Sequence, residues 1–183
     1  GFQVHVGHNK PTSRGHVHAL SGDIKQHPEI LFNYLQTEHD RQGFRDCVHL
    51  TREIMCQPAM DEFRGDVIQP DPQVQTDEQI DAFVRESVDS AYHPAGTCKI
   101  GADNMAVVDK DLRVHGIANL RVIDSSVFPT VPNGNLNAPT MMLAERGADL
   151  IKGCDIKPSS PADNYIDKQW QERQKEGVPL RPA

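Results

Sequence analysis

Two short stretches hold the residues best suited to chemistry in this chain of 183 residues. The first is His93-Pro-Ala-Gly-Thr97, and the second, some forty residues later, is Asn133-Gly-Asn-Leu-Asn137. A histidine can take up a proton near neutral pH, and an amide side chain can hold an oxygen atom by hydrogen bonding. Combined with a helix end that stabilises negative charge, these groups make a usable redox site.

Both stretches also have ordinary structural explanations. A lone histidine is more often a hydrogen-bonded structural residue than a catalyst, and Asn and Gly commonly form turns. The functional interpretation gains weight because the second stretch runs into a predicted helix over Ala138 to Lys152, with Asn137 as N-cap and Gly153 just past its end. The free N–H groups at a helix N-terminus favour an anionic ligand.

The elements that position these stretches follow from hydrophobic periodicity. Apolar residues alternate over residues 2 to 6, which predicts a half-buried strand, and residues 16 to 20 and 30 to 32 predict two more. Residues 38 to 56 carry apolar positions every three to four residues and predict an amphipathic helix. Residues 120 to 124 favour a further short strand.

A second helix is predicted to start at a capping box formed by Thr76 and Gln79. Its apolar face holds Ile80, Phe83, Val84 and Val88. We therefore expect an α+β fold, in which an antiparallel sheet of the first ninety residues is the core and helices cover it.

Composition narrows the class of protein. With 19 Lys and Arg against 26 Asp and Glu, the formal net charge is −7, which argues against a nucleic-acid partner. No apolar run approaches the roughly 18 residues that a membrane span requires, and no signal-peptide pattern is present. Because the chain starts with Gly1 rather than Met, we expect it to be part of a longer protein.

The cysteines and histidines favour no metal site. Cys47, Cys56, Cys98 and Cys154 form no C-x-x-C pair, so we expect reduced thiols in a cytosol-like compartment. Two local histidine pairs, His5 with His8 and His16 with His18, lack the spacing of a metalloprotease helix, and no cysteine completes a zinc finger. We therefore predict that the protein has no metal centre.

A longer series of motifs surrounds the two stretches. It comprises His93-Pro-Ala-Gly-Thr-Cys-Lys-Ile-Gly101, Val107-Val-Asp109, Leu112-Arg-Val-His-Gly116, Asn119-Leu-Arg-Val-Ile-Asp-Ser-Ser126 and Gly134-Asn-Leu-Asn-Ala-Pro139, preceded by Phe2-Gln-Val-His-Val-Gly7 and Asn33-Tyr-Leu35. This series resembles the glucose–methanol–choline (GMC) family of flavin oxidoreductases in unbroken order over residues 1 to 153. The resemblance implies that residues 1–153 form the C-terminal substrate and catalytic domain of that family. Residues 154–183, which are rich in proline, are expected to be an extended tail.

The resemblance implies an FAD-dependent enzyme that oxidises choline to betaine aldehyde, with another primary alcohol as the alternative substrate. The chain has no G-x-G-x-x-G motif, so we expect the FAD-binding domain to lie in another part of the enzyme. The strand at 120–124 and the helix at 138–152 would be the last elements of that domain. The isolated chain is then an inactive binding module, and its uncovered apolar surface would form a homodimer or leave parts of residues 94 to 140 disordered.

Site residues are carried over by position. His93 matches the family's active-site histidine, which assists removal of the substrate's hydroxyl proton. Asn135, eleven residues after Asp124, matches a second catalytic position that is His or Asn in the family. His5 resembles a histidine that lines the choline site. The cofactor-binding positions are Asp124, Ser125 and Asn137.

Three further implications concern the cofactor turn, the substrate's cation and the location. Ser125 departs from the family's usual Ala or Gly but keeps the backbone N–H that approaches the flavin.

A quaternary ammonium needs aromatic faces or a carboxylate around it. The aromatic candidates are Tyr34, Tyr92 and Phe128. The resemblance implies a bacterial cytoplasmic protein peripheral to the inner membrane, with the mitochondrion as the alternative.

Overall fold

The structure, a computed structural model, describes residues 1–154 and contains two short strands and three α-helices in this part of the chain. The strands are β1 (His16–His18) and β2 (Glu29–Leu31), and the helices are α1 (Glu38–Met55), α2 (Asp77–Ser87) and α3 (Asn137–Lys152). The predicted α+β class is confirmed, whereas the tail expected for residues 154–183 lies, apart from Cys154, outside the described residues. Within residues 1–154, no helix combines the length and apolar character needed to cross a bilayer.

Helices α1 and α2 begin where the sequence predicts. Thr37 caps α1, since its hydroxyl accepts a hydrogen bond from the Asp40 N–H. The predicted capping box at α2 is present: the Gln79 N–H donates to Thr76 Oγ1 at 3.3 Å, and the Thr76 N–H donates to Gln79 Oε1 at 3.0 Å. These reciprocal bonds satisfy N–H groups that have no partner inside the helix.

The first hydrophobic core lies between α1 and α2. Its buried members are Leu35, Val48, Ile80 and Val84. The expectation that the sheet would be the core is therefore wrong, because β1 and β2 are almost entirely exposed. Strands of three residues offer little apolar surface, so the amphipathic helices bury their faces against each other instead.

Two predicted strands do not form. Residues 2 to 6 are exposed and belong to no strand, and within residues 1–154 no strand pairs with them. Residues 120 to 124 form only a single antiparallel bridge, between Arg121 and Arg113. A strand is stable only when a neighbouring strand satisfies its backbone groups, and sequence alternation does not supply that neighbour.

Two charged anchors hold the first half together. Arg45 on α1 makes a bidentate ion pair with Asp81 on α2, with Nε to Oδ1 at 2.7 Å. Asp40, which is only 2% exposed, accepts hydrogen bonds from Thr12 N–H at 2.7 Å, from the Thr12 hydroxyl at 3.0 Å and from Ser13 N–H at 2.8 Å. Burial alone raises the pKa of Asp40, but the hydrogen bonds from Ser13 and Thr12 outweigh it and hold the pKa well below its usual range.

We expect the Asp40→Asn variant to lose about 1–3 kcal/mol in free energy of unfolding at neutral pH, because an amide cannot accept all three hydrogen bonds. Since the folded-state pKa of Asp40 is lowered, its contribution is present above the unfolded pKa of about 3.9 and is lost as the pH falls through the folded value. Urea unfolding at several pH values should therefore show the difference between wild type and variant narrowing below about pH 4.

The matched control is Asp46→Asn, which changes an exposed carboxylate on the same helix. It should shift the unfolding free energy by no more than about 0.5 kcal/mol. If both variants behave alike, or if the Asp40→Asn difference is independent of pH, then Asp40 does not anchor the Thr12–Ser13 loop.

Candidate active site

A second hydrophobic core supports the residues predicted to do chemistry. Its buried members are Val108, Leu112, Val127 and Leu143. The turn over residues 109 to 113 is held by Asp109 Oδ1, which accepts from the N–H groups of Arg113 at 2.9 Å and Asp111 at 2.8 Å. The hydrogen bond from the Arg113 N–H, with that from Asp111, lowers the pKa of Asp109.

The loop that carries His93 is fixed to the turn after Asp124 by main-chain hydrogen bonds. Cys98 N–H donates to Ser126 O at 2.9 Å, and Ile100 N–H donates to Val127 O at 2.8 Å. Gly96 permits the approach: its φ is +92°, and a Cβ there would lie 3.3 Å from the Phe128 carbonyl oxygen. A side chain at this position would combine left-handed strain with crowding.

Helix α3 packs closely on the segment that leads to Asp124. Gly147 is buried on the helix, and a Cβ at this position would lie 2.5 Å from Ile123 Cγ2. The Ser125 and Thr140 hydroxyls, 2.7 Å apart, join the turn after Asp124 to the first part of α3. The two segments predicted to approach a flavin are thus connected by both packing and a hydrogen bond.

His93 and Asn135, which are 42 residues apart in the chain, meet in the structure. Asn135 Nδ2 lies 3.1 Å from His93 Nε2. The Asn137 N–H donates to Asn135 Oδ1 at 2.7 Å, which fixes the orientation of the amide. Because the amide nitrogen then faces the imidazole as a donor, Nε2 is the acceptor, and the proton of the neutral ring lies on Nδ1.

The N-terminus of α3 differs in detail from the prediction. Asn137 is the first helical residue rather than the N-cap; the N-cap is Leu136, which makes no side-chain capping bond. The Asn135 side chain takes the Asn137 N–H instead, because it lies two residues earlier in a turn conformation typical of Asn. The first turn of α3 contains no acidic residue, so its positive end remains available for an electron-rich group. The predicted Gly153 terminus is confirmed, with φ +68°.

Two other predicted site residues, His5 and Asp124, make no hydrogen bond to the His93–Asn135 pair. His5 lies in the exposed N-terminal segment and makes no hydrogen bond to His93 or Asn135. Asp124 is exposed, and its Oδ1 accepts from the Ser126 N–H at 2.8 Å within its own turn. Thr140 was not anticipated, because nothing in its spacing within a predicted helix signals that its hydroxyl meets Ser125.

Comparison with known proteins decides the family. The family model described as GMC oxidoreductase matches residues 11–144, which is most of the chain. The chain belongs to the GMC oxidoreductase family. The sequence of this chain is 58% identical to that of an oxygen-dependent choline dehydrogenase from Vibrio vulnificus, over 99% of the chain and 33% of the relative. It is 56% identical to a protein of the same name from Photobacterium profundum, over 100% of the chain and 32% of the relative.

The chain therefore spans about a third of the length of the curated relatives it matches. Solved structures agree with the family assignment. Pyridoxine 4-oxidase from Mesorbium loti superposes with a TM-score of 0.74 at 32% identity, over 81% of this chain and 29% of that chain. An FAD-dependent oxidoreductase from Chaetomium thermophilum superposes with a TM-score of 0.76 at 32% identity, over 80% and 26%.

The geometry around His93 predicts its tautomer. In the wild-type chain, at a pH where the ring is neutral, ¹⁵N NMR should find the proton on Nδ1, because Asn135 donates to Nε2. Asn135→Leu removes this donor and should shift the proton towards Nε2. The control Asn133→Leu changes an exposed residue of the same loop and should leave the tautomer unchanged. An Nε2–H tautomer in the wild-type chain would contradict the orientation of the amide.

Proposed function

We propose that this chain is the substrate-facing C-terminal part of an FAD-dependent enzyme that oxidises choline to betaine aldehyde. The observation that carries the proposal is the contact between His93 Nε2 and Asn135 Nδ2 at 3.1 Å, because it sets a proton acceptor beside a hydrogen-bond donor. The substrate is proposed from the relatives that carry the name oxygen-dependent choline dehydrogenase. The roles of the individual residues are part of the proposal.

In this mechanism the hydroxyl group of the substrate displaces the direct hydrogen bond between His93 and Asn135 and contacts both side chains. It donates its proton to His93 Nε2 and accepts a hydrogen bond from Asn135 Nδ2. As the proton leaves, negative charge grows on the oxygen, and a well-placed donor stabilises that charge by about 3 kcal/mol. The bond from the Asn137 N–H to Asn135 Oδ1 holds the amide in the donating orientation.

The residues around the start of α3 fit a flavin. The helix presents a positive end at which the N-cap residue Leu136 makes no side-chain capping bond and the first turn holds no acidic residue, which suits the electron-rich pyrimidine edge of a flavin. Asp124, Ser125 and Asn137 would hold the cofactor, and Thr140 would fix the Ser125 hydroxyl through the 2.7 Å contact. When bound, FAD supplies the acceptor for the hydride that leaves the alcohol.

Recognition of the trimethylammonium group is proposed to involve Tyr92. Of the three aromatic candidates, Phe128 packs against the second core, and Tyr34 stacks on Phe32 with ring centroids 5.1 Å apart. Tyr92 is 81% exposed and immediately precedes His93, so its ring is available to a cation beside the reacting hydroxyl. His5 would complete the substrate site from the N-terminal segment.

The wider organisation is also proposed. Residues 1–153 would form the family's C-terminal domain, which is supported by the match to residues 11–144 and by the end of α3 at Lys152. Helix α3 exposes the apolar side chains of Met141, Met142 and Ile151. In the full-length enzyme the FAD-binding part would cover them, and the alternative is that a second copy of the chain covers them in a homodimer. The bacterial relatives support a bacterial cytoplasmic protein, for which we propose a position peripheral to the inner membrane.

The test is dye-coupled alcohol oxidation by the full-length enzyme, with choline beside a panel of simple alcohols. We expect choline to be preferred and His93→Ala to lower kcat by about 10²–10⁴-fold, which is the range that general-base catalysis contributes. Flavin absorbance per protein should stay unchanged in the variant, which separates loss of chemistry from loss of cofactor.

The control is His49→Ala, an exposed histidine on α1, which should retain full activity. Turnover of other alcohols but not choline would contradict the substrate and leave the chemistry in place. Undiminished turnover by His93→Ala would contradict the role of the imidazole itself.

A further inference from the structure

Three potential metal ligands meet on the β1–β2 ladder. His16 and His18 are two residues apart on β1, so their side chains project to the same side, and their rings stack with centroids 4.2 Å apart. Glu29 on β2 is the register partner of His18. Its Oε2 lies 3.2 Å from His16 Nε2 and 3.9 Å from His18 Nδ1.

We propose that His16, His18 and Glu29 form a site for a divalent transition-metal ion, with Zn²⁺ as the ion best suited to it. The histidine spacing by itself predicts no metal centre, because the third ligand, Glu29, reaches the pair only through the pairing of β1 with β2. One ligand atom from each residue lies within 4.8 Å of the other two. Two neutral imidazoles and one carboxylate are a donor set typical of zinc, with water completing the tetrahedral shell. The site is separate from the residues proposed to act on the alcohol and does not depend on that function.

The backbone holds the three residues in place while the side chains remain adjustable. The antiparallel register fixes Glu29 opposite His18, which is the arrangement in which cross-strand side chains interact. The side chains of His16, His18 and Glu29 are 36%, 65% and 55% exposed, so an ion can enter from solvent. Rotation of the side chains can close the ligand distances to about 2.0–2.2 Å.

Glu29 is also free to act as a ligand. Among the described residues its only ion-pair partners are the two histidines, and no lysine or arginine competes for its oxygens. At a pH where the histidines are neutral, the carboxylate has no cationic partner in this part of the chain. A metal ion would supply the missing positive charge.

A second group of ligands is less suitable. His8, His39 and Asp40 also lie within reach of one another. Both oxygens of Asp40, however, already accept hydrogen bonds from the Thr12–Ser13 loop. A metal ion on Asp40 would have to displace those bonds and release the loop. The Glu29 carboxylate, by contrast, holds no loop in place.

The test is calorimetric titration of the chain and of the full-length enzyme with Zn²⁺. We expect one site, and we expect His18→Asn and Glu29→Gln each to weaken its affinity by about tenfold or more, because each removes a direct ligand. His49→Asn, which changes an exposed histidine on α1, is the matched control and should bind as the wild type does. In the wild type, ¹⁵N NMR should show Zn²⁺ perturbing the ring nitrogens of His16 and His18.

Three outcomes would overturn the proposal. The first is absence of stoichiometric Zn²⁺ binding to the wild type. The second is loss of binding in His39→Asn with retention in Glu29→Gln, which would assign the ion to the second group. The third is an equal decrease in His49→Asn, which would mean adventitious binding to surface histidines. Urea unfolding of each variant without Zn²⁺ verifies that a lost site is not a lost fold.

Discussion

The candidate active site depends on the two main-chain hydrogen bonds that fix the His93 loop to the turn after Asp124. They run from Cys98 N–H to Ser126 O and from Ile100 N–H to Val127 O. Because both partners are backbone groups, the connection is independent of the side chains at these positions. Val127 is buried in the second core, so these bonds attach the loop directly to that core. The contact between His93 and Asn135 depends on this attachment of the loop.

The described residues form two hydrophobic cores, and only the second supports the candidate site. The core between α1 and α2 is reinforced by charged anchors, in which Asp40 holds the Thr12–Ser13 loop and Arg45 joins the two helices. The second core carries the site and the start of α3. Its outer surface leaves Met141 and Met142 exposed, as expected of a helix that packs on another part of a longer protein. That arrangement agrees with a chain that spans about a third of its curated relatives.

Histidines show how strongly the surroundings decide the chemistry of one residue type. His93 meets an amide whose orientation is fixed, and its Nε2 lone pair is directed towards a donor. His16 meets a carboxylate, which suits it to bind a cation. His8 packs against Gly43, and its buried Nδ1 makes no hydrogen bond among the described residues but lies 3.8 Å from Asp40 Oδ1. The same imidazole therefore supports three different interpretations, and only the neighbouring groups distinguish them.

The sequence by itself determined the features that depend on residues close together in the chain. Hydrophobic periodicity and capping act over a few residues, so they predict helices and their ends from sequence alone. They correctly predict α1, α2 with its Thr76–Gln79 capping box, and the end of α3 at Gly153. The ordered motifs were likewise enough to identify the family. The meeting of His93 with the loop of Asn135 could be expected from the resemblance alone.

Only the tertiary structure decided the features that need a distant partner. Among the described residues, the alternating segment 2 to 6 has no strand beside it, and the strand-favouring segment 120 to 124 makes only the single bridge of Arg121 to Arg113. Three contacts join residues that are far apart in the chain. Asn135 and His93 are 42 residues apart, Ser125 and Thr140 are 15 apart, and Glu29 and His16 are 13 apart. Such contacts arise from how the elements pack, and no local pattern in the sequence encodes them.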